Sequence, residues 1–512
     1  MNPIFNHLFR FLLAGMILMT SASALAQSSE ELAIAAREAA RTDRNVQSAD
    51  LFERAIAAAP ARRREWLREY AEQLTYSKRA LQAIPLYREY LAIQLEPVDR
   101  RNGLQGLALA LSWADQPSEA RVVYEALLAE DPGNVDAQRS LGRVLSWSGR
   151  QREAQAYLRN FLVSHPNDPE GHFLLAQAQW WLGRPDAARA TLATESSTAP
   201  RSNDALNLER SMDQARGQTT RFDTQRSSQS DDLDIASTLI EHQWSSDNGL
   251  TVLAPRWQHI DYSPAGGAPG VTVERPGVRA RHRFSDDFEF NLEAAVDLIR
   301  PQGLAEDRQL TYSSWLTWWP SDVLRLDLSS KRETFDNVLS LQRGITARGE
   351  GISFDWLPNE SARLATRLAR SNYSDGNQRD FAQLELERRL GTHPSVWAGL
   401  RYTHFDFAQQ LDNGYFNPKN LDSYLVTLRA NGGSNEPGAR FHWSAQLAGG
   451  TEHADPGGDK PNYEAGVTAA YRLTRGMNIE ARLQRFSSRT ASASGFARTT
   501  AGVTLVYDWN SK

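Results

Sequence analysis

The sequence contains no cysteine. That one absence excludes disulfides, thiolate metal sites and thiol catalysis together. Histidine is sparse, ten in 512 residues, and the nearest pair, His165 and His172, has a spacing that no common metal motif uses. No Gly-x-Ser-x-Gly elbow, phosphate loop or His-Glu-x-x-His stretch occurs, so no catalysis, cofactor or metal is expected. A net charge of -5 and a pI near 6.1 supply no basic excess for a nucleic-acid partner. Beyond the N-terminal region there is no run of about 18 apolar residues, so a helical membrane span is not expected. A chain of this kind crosses a bilayer only as a closed barrel.

What is present starts with a leader. "MNPIFNHLFR" is weakly basic, "FLLAGMILMT" is apolar, and Ala24-Leu25-Ala26 is a small-x-small cleavage site, so residues 1–26 read as a secretory signal peptide with Gln27 first in the mature chain. At this length two or more structural units are expected.

The phrase "LSWADQPSEA" at 111–120 returns as "LSWSGRQREA" at 145–154 and as "QWWLGRPDAA" at 179–188. Trp113, Trp147 and Trp181 share one column, Ala120, Ala154 and Ala188 a second, and Pro132, Pro166 and Pro200 a third, at the tetratricopeptide period of about 34 residues. A small Ala lets the second helix approach the first, a large residue four on (Tyr124, Leu158, Leu192) fills the gap, and Pro ends the helix. Gly142, with Ala108 and Ala176 in its column, is the small residue on the first helix. A degenerate earlier copy holds Ala83, Tyr87 and Pro97, so about four repeats are expected between 45 and 200. The column tryptophans are expected in the core; a role in stacking on a sugar is open only to Trp180, beside the column. The stretch "RSNDALNLERSMDQARGQ" reads as a last polar helix and a linker.

From about residue 217 the period changes to two. In "FEFNLEAAVDLIR" one face holds Phe288, Phe290, Leu292, Ala294, Val296 and Leu298, and the other Glu289, Asn291, Glu293 and Asp297. "YEAGVTAAYRL" repeats the pattern. Sixteen such segments can be counted, from 218–227 to 496–509, an even number of suitable length for an outer-membrane barrel. "FSDDF", "WPSDV", "LPNES", "GTHPS" and "LTRGM" are tight connections; "SPAGGAPG", "PQGLAEDR", "DNVLSLQRG", "QQLDNGYFNPKN" and "HADPGGDKP" are longer. Short turns on the periplasmic side and long loops outside mark a transmembrane barrel, and aromatics in "WLTWWP" and "YDW" suit an interfacial girdle. A soluble sandwich also alternates, but long strands, two-sided loop asymmetry and a leader favour the barrel.

The expected fold is therefore α + β and multidomain: a signal peptide (1–26), a periplasmic tetratricopeptide α-solenoid (27–200), a linker (201–217) and a 16-stranded antiparallel transmembrane β-barrel (218–512). By parity, Glu289, Glu293, Asp297, Arg325, Asp327, Glu385, Glu387, Arg389, Glu464, Arg472, Glu480 and Arg482 face the lumen. The pair Glu385 and Glu387 has the residue types of a glycosidase, but a charged lumen produces such pairs by default. Mixed charge can exchange hydrogen bonds with a hydrated sugar chain without holding it tightly, which conduction requires; a general porin would carry the same lining.

The combination of leader, repeats and barrel resembles the outer-membrane exopolysaccharide export porins: the poly-N-acetylglucosamine export porin, the C-subunit of cellulose synthase complexes and the YaiO-like barrels. Gly414, Tyr415, Phe416 and Pro418 in "NGYFNPKN" look like the Gly-Tyr-(Tyr/Phe)-x-Pro loop motif of these barrels. The resemblance implies a non-enzymatic channel in the outer membrane. Its implied partners are outer-membrane lipid, a polysaccharide and a periplasmic protein of the synthesis or export complex, met through the repeats. The repeat array is much shorter than in those families. A scaffold that anchors the repeats without transport is the alternative.

Overall fold

A computed structural model describes residues 28–198, 202–433, 440–487 and 497–510. The leader expected over 1–26 and Pro200 of the third column lie outside them. The chain forms two compact units that meet between Val144 and Leu145.

The first unit is helical: α1 (Ser29–Arg41), α2 (Asn45–Ala58), α3 (Arg63–Tyr76), α4 (Ala80–Leu91), α5 (Pro97–Trp113), α6 (Pro117–Glu130) and most of α7 (Val135–Trp147). Its start is fixed by a capping box in which Ser28 Oγ accepts from the Glu31 amide and Glu31 returns the bond to Ser28. Pro97 and Pro117 open α5 and α6 at a position where a missing N–H costs nothing. The small columns are the helix contacts: Ala83, Ala108 and Ala120 are fully buried, and Tyr124 fills the gap as expected. At Gly106 an added Cβ would lie 2.4 Å from the Tyr87 ring, so only glycine allows that approach.

The array begins earlier than expected. Helices α1 and α2 form an additional pair whose Ala36, Ala49 and Phe52 are buried. Their connection carries Arg41 where the later repeats carry an aromatic, which is why the column misses them.

The second unit contains the end of α7, then α8 (Gln151–Ser164), α9 (Pro169–Trp181), α10 (Pro185–Thr198), α11 (Asn203–Ala215) and the barrel. Ala154, Ala188, Leu158 and Leu192 are buried in their expected roles. Helix α11, capped by Ser202, presses Ala205, Leu208 and Met212 onto Ala176, Ala188 and Leu192, so most of the expected linker closes the helical stack. Trp180 packs half-buried against the same cluster.

The column tryptophans are a correction. Trp113, Trp147 and Trp181 are 44%, 42% and 45% exposed. Each is the last residue of its helix, followed by a reversal in which a residue of positive φ (Asp115, Gly149, Gly183) lets the next amide bond back to the helix. A side chain at that margin has neighbours on one side only.

The strands are β1 (Thr219–Gln229), β2 (Leu233–Ser245), β3 (Thr251–Pro264), β4 (Val271–Arg283), β5 (Phe288–Pro301), β6 (Asp307–Ser321), β7 (Leu324–Thr334), β8 (Thr346–Asn359), β9 (Ala362–Tyr373), β10 (Gln378–Thr392), β11 (Ser395–Phe407), β12 (Asn420–Gly433), β13 (Phe441–Asp455), β14 (Gly458–Thr474), β15 (Met477–Phe486) and β16 (Arg498–Asp508). Every strand pairs antiparallel with its sequence neighbours, and β1 pairs β16 from Thr219↔Asp508 to Gln229↔Arg498, closing the barrel without an edge. A five-residue helix, α12 (Val338–Gln342), lies between β7 and β8. "HADPGGDKP" is not a long loop: β13 and β14 run on through it and leave only residues 456–457 between them.

Leu253, Phe290, Val296, Leu310, Leu328, Leu368, Leu400, Val426, Leu447 and Leu483 point outward and are exposed, with Trp244, Phe288, Trp318, Trp356, Tyr471 and Tyr507 near the short-turn ends. An exposed apolar surface of this extent needs lipid around it. Among the described residues no helix is long and apolar enough to cross a membrane.

Candidate functional site

The opposite face of each strand carries charge, and its pairing identifies it as the inside. Arg256 on β3 donates to Glu293 on β5 at 2.8 Å, Arg429 on β12 to Glu387 on β10 at 2.6 Å, and Arg482 on β15 to Asp223 on β1 at 2.8 and 2.9 Å. Arg401 on β11 ties Glu385 on β10, at 3.1 Å, to Glu464 on β14, at 2.9 Å. Apart from Arg401 with Glu385, which face each other on adjacent strands, these pairs skip one or two strands. Side chains from strands that far apart converge on the concave face of a closed sheet and diverge on the convex one.

The residues expected by parity fall into this network in different ways. Asp297 is fully buried, gripped by Arg275 at 2.6 and 2.7 Å and by the hydroxyls of Thr311 and Thr334. Asp327 accepts from Thr317 at 2.5 Å and from Arg325 at 3.0 Å. Glu387 is shared by Arg363 and Arg429. Glu289 accepts only from its neighbour Asn291, at 2.9 Å. Glu480 and Arg389 are half-buried on the same parity, whereas Arg472 is exposed at the short-turn end of β14. Parity read strand by strand missed the counter-ions Asp223, Glu241, Arg256, Arg275, Arg279, Arg363, Arg401 and Arg429. Pro255, Pro276 and Gly399 interrupt the alternation of β3, β4 and β11; the same period-two reading extended to β3, β4, β9, β11 and β12 would have placed the arginines on the inner face.

Two loops fill the mouth at the long-loop end. Residues 335–345 between β7 and β8 reach across the lumen. Leu341 of α12 is buried among Leu233, Ile235, Ile260, Tyr262, Val271, Val273 and Ile299, which come from β2 to β5, and Asp336 pairs with Arg498 on β16, the opposite wall. The 408–419 loop between β11 and β12 folds in beside it. Gly414 takes φ 87°, and a Cβ there would come within 2.6 Å of Asn337 Oδ1. This lets Tyr415 stack on Phe335 (5.2 Å) and Tyr373 (4.8 Å). Burial pushes the Tyr415 phenol above its ordinary value, and it donates to Asp375 at 2.8 Å. Phe416 meets the edge of Phe405, Pro418 is buried, and Ser340 Oγ of α12 donates to the Asn413 carbonyl at 2.7 Å. The motif is thus the lock between two inward loops.

At the short-turn end, helices of the same unit dock on the barrel. Asp322, in the β6–β7 turn, accepts from the Arg152 and Glu153 amides that open α8, at 3.0 and 3.4 Å. The Arg152 guanidinium donates to Asp287 at 2.6 Å and to the Trp319 carbonyl at 2.8 Å, and Arg184 donates to Asp286 at 2.6 Å. Burial pushes the Asp322 carboxyl up, against the pull of those amides, and Asp286 raises the Arg184 guanidinium.

Among the described residues no group of three or more His, Cys, Asp or Glu could hold a metal ion. Residues 308–468 match the family model described as the PgaA membrane beta barrel domain, and residues 114–172 match a tetratricopeptide repeat model. No curated protein matches the chain. Solved structures similar to it include a bacterial polysaccharide outer membrane secretin (14% identity, 58% of this chain and 99% of that one, TM-score 0.46). Others are the CymD monoaromatic hydrocarbon channel (8%, 57% and 89%, 0.34) and YrrB, a tetratricopeptide protein with an unusual peptide-binding site (11%, 38% and 97%, 0.29). The PgaA barrel description thus matches the central strands β6 to β14 and the repeat description matches residues 114–172 of the helical region, and the chain is an outer-membrane protein in which periplasmic tetratricopeptide-like helices precede a closed 16-stranded antiparallel β-barrel.

Proposed function

We propose that the barrel exports an exopolysaccharide, of the cellulose or poly-N-acetylglucosamine type that the resemblance implies, along the polar face that holds Glu289, Glu293, Asp297, Asp327, Glu385, Glu387, Glu464 and Arg482. The observation that carries this reading is the inner wall of a PgaA-type barrel, where most carboxylates and guanidiniums already satisfy one another. Such a wall offers many weak hydrogen bonds and no deep well, which favours passage over capture. No energy source is encoded, so synthesis at the inner membrane and dilution outside would drive the polymer. The repeats guide it or recruit a periplasmic protein of the synthesis machinery, and their docking through Arg152 and Arg184 holds the last helices at the inlet.

The inward loops favour a second reading, in which a sealed barrel anchors a repeat scaffold. The two separate in the bacterium that makes the protein. Under export, deleting the gene removes the glycan from the medium and leaves it in the periplasm, and the intact gene restores secretion. Unchanged secretion would rule out export.

A further inference from the structure

On the inner wall of β9 to β11 the charge pairing breaks down. Arg379 and Arg367 both lie against Phe381, each guanidinium 5.7 Å from the centre of that ring, and Arg379 is also 5.6 Å from the Phe405 ring centre and 6.0 Å from that of Phe407. Among the described residues neither arginine bonds to a carboxylate. Arg367 is exposed, and the Arg379 Nε is buried with no acceptor. The acids nearest along this wall are committed, Glu385 to Arg401 and Asp375 to Tyr415.

A guanidinium held against a ring face keeps its edge free, and that edge carries the forked donors that fit a carboxylate. The Phe381 ring that both guanidiniums approach offers an apolar surface for the sugar that bears the acid. We propose that Arg367, Phe381 and Arg379 form a subsite for a carboxylate-bearing sugar of the passing glycan, just below the loops that close the mouth. The proposal rests on the export reading and narrows it to chains that carry acidic groups. A carboxylate on the ring and one on an ester-linked succinate have the same chemistry at this site.

The test is block of single-channel current through the full mature chain in planar bilayers. The probes are oligogalacturonate, O-succinylated cello-oligosaccharide, plain cello-oligosaccharide and chitosan oligomers of equal length, with the 335–345 loop loosened by Asp336→Ala. At least one acidic probe is expected to block at roughly tenfold lower concentration than the neutral one, the ratio of one well-made charged contact. Which of the two does so identifies the source of the acid. The preference should vanish in R367Q/R379Q and fall in R367K/R379K, which keeps charge but loses the fork; heat-modifiable migration on gels checks that each variant is folded. Equal block by acidic and neutral probes, stronger block by chitosan, or a preference that survives R367Q/R379Q would overturn the subsite and leave export standing. Block by none of the probes would count against export itself.

Discussion

Asp297 shows what single residues contribute to this barrel. It is a fully buried carboxylate whose charge is tolerable only because Arg275, Thr311 and Thr334 surround it. Arg275→Met leaves that charge unpaired and is predicted to cost roughly 3–5 kcal/mol. Asp297→Asn leaves instead the Arg275 guanidinium, which is 27% exposed and can be hydrated, and is predicted to cost less; urea unfolding in detergent measures both. Across the wall, Leu292→Arg puts a cation on the lipid face and is predicted to cost about 2–4 kcal/mol near the midplane. Glu293→Gln, one residue on, should assemble normally and shift ion selectivity, and equal assembly defects would overturn the assignment of faces. Parity made these faces legible in the sequence. Which arginine pairs with which carboxylate was not, because which strand a side chain reaches across the lumen depends on the curvature of the closed sheet. Trp113, Trp147 and Trp181 failed differently: their period is real, but a period says that a position recurs, not that it is buried.

Among the elements, the two inward loops bear most on function. Gly414→Ala forces a side chain into a left-handed position and against Asn337, so it should unseat the 408–419 loop and raise the channel's conductance while leaving the strands folded. An unchanged conductance would show that this loop does not close the mouth. The helix–barrel contact makes its own prediction: Arg152→Ala with Arg184→Ala should expose the junction of α11 and β1 at 216–218 to limited proteolysis, with no change in barrel heat-modifiability. Strands were the most legible elements, since sixteen runs of alternation became sixteen strands with ends displaced by a few residues. The errors lie where alternation gives out: "HADPGGDKP" looked like a loop because Gly and Pro hide a strand's period, and helix α12 was too short for any period to reveal it.

At the largest scale, the second unit is a lipid-facing barrel with a mostly charge-paired interior, carrying its own helices α8 to α11 at the short-turn end and loops across the far mouth. The sequence conveys the first of these, because burial against lipid and exposure to a wet lumen write opposite patterns on alternate residues. It does not convey whether the lumen is open, since that turns on contacts such as Asp336 with Arg498 between segments 162 residues apart. The most direct measurement is therefore the single-channel conductance of the full mature chain beside Asp336→Ala, which frees the loop from the opposite wall. If the barrel is an export conduit, small or intermittent steps in the native protein become large and sustained in the variant. If both remain closed at every voltage, the barrel is an anchor and the repeats carry the function.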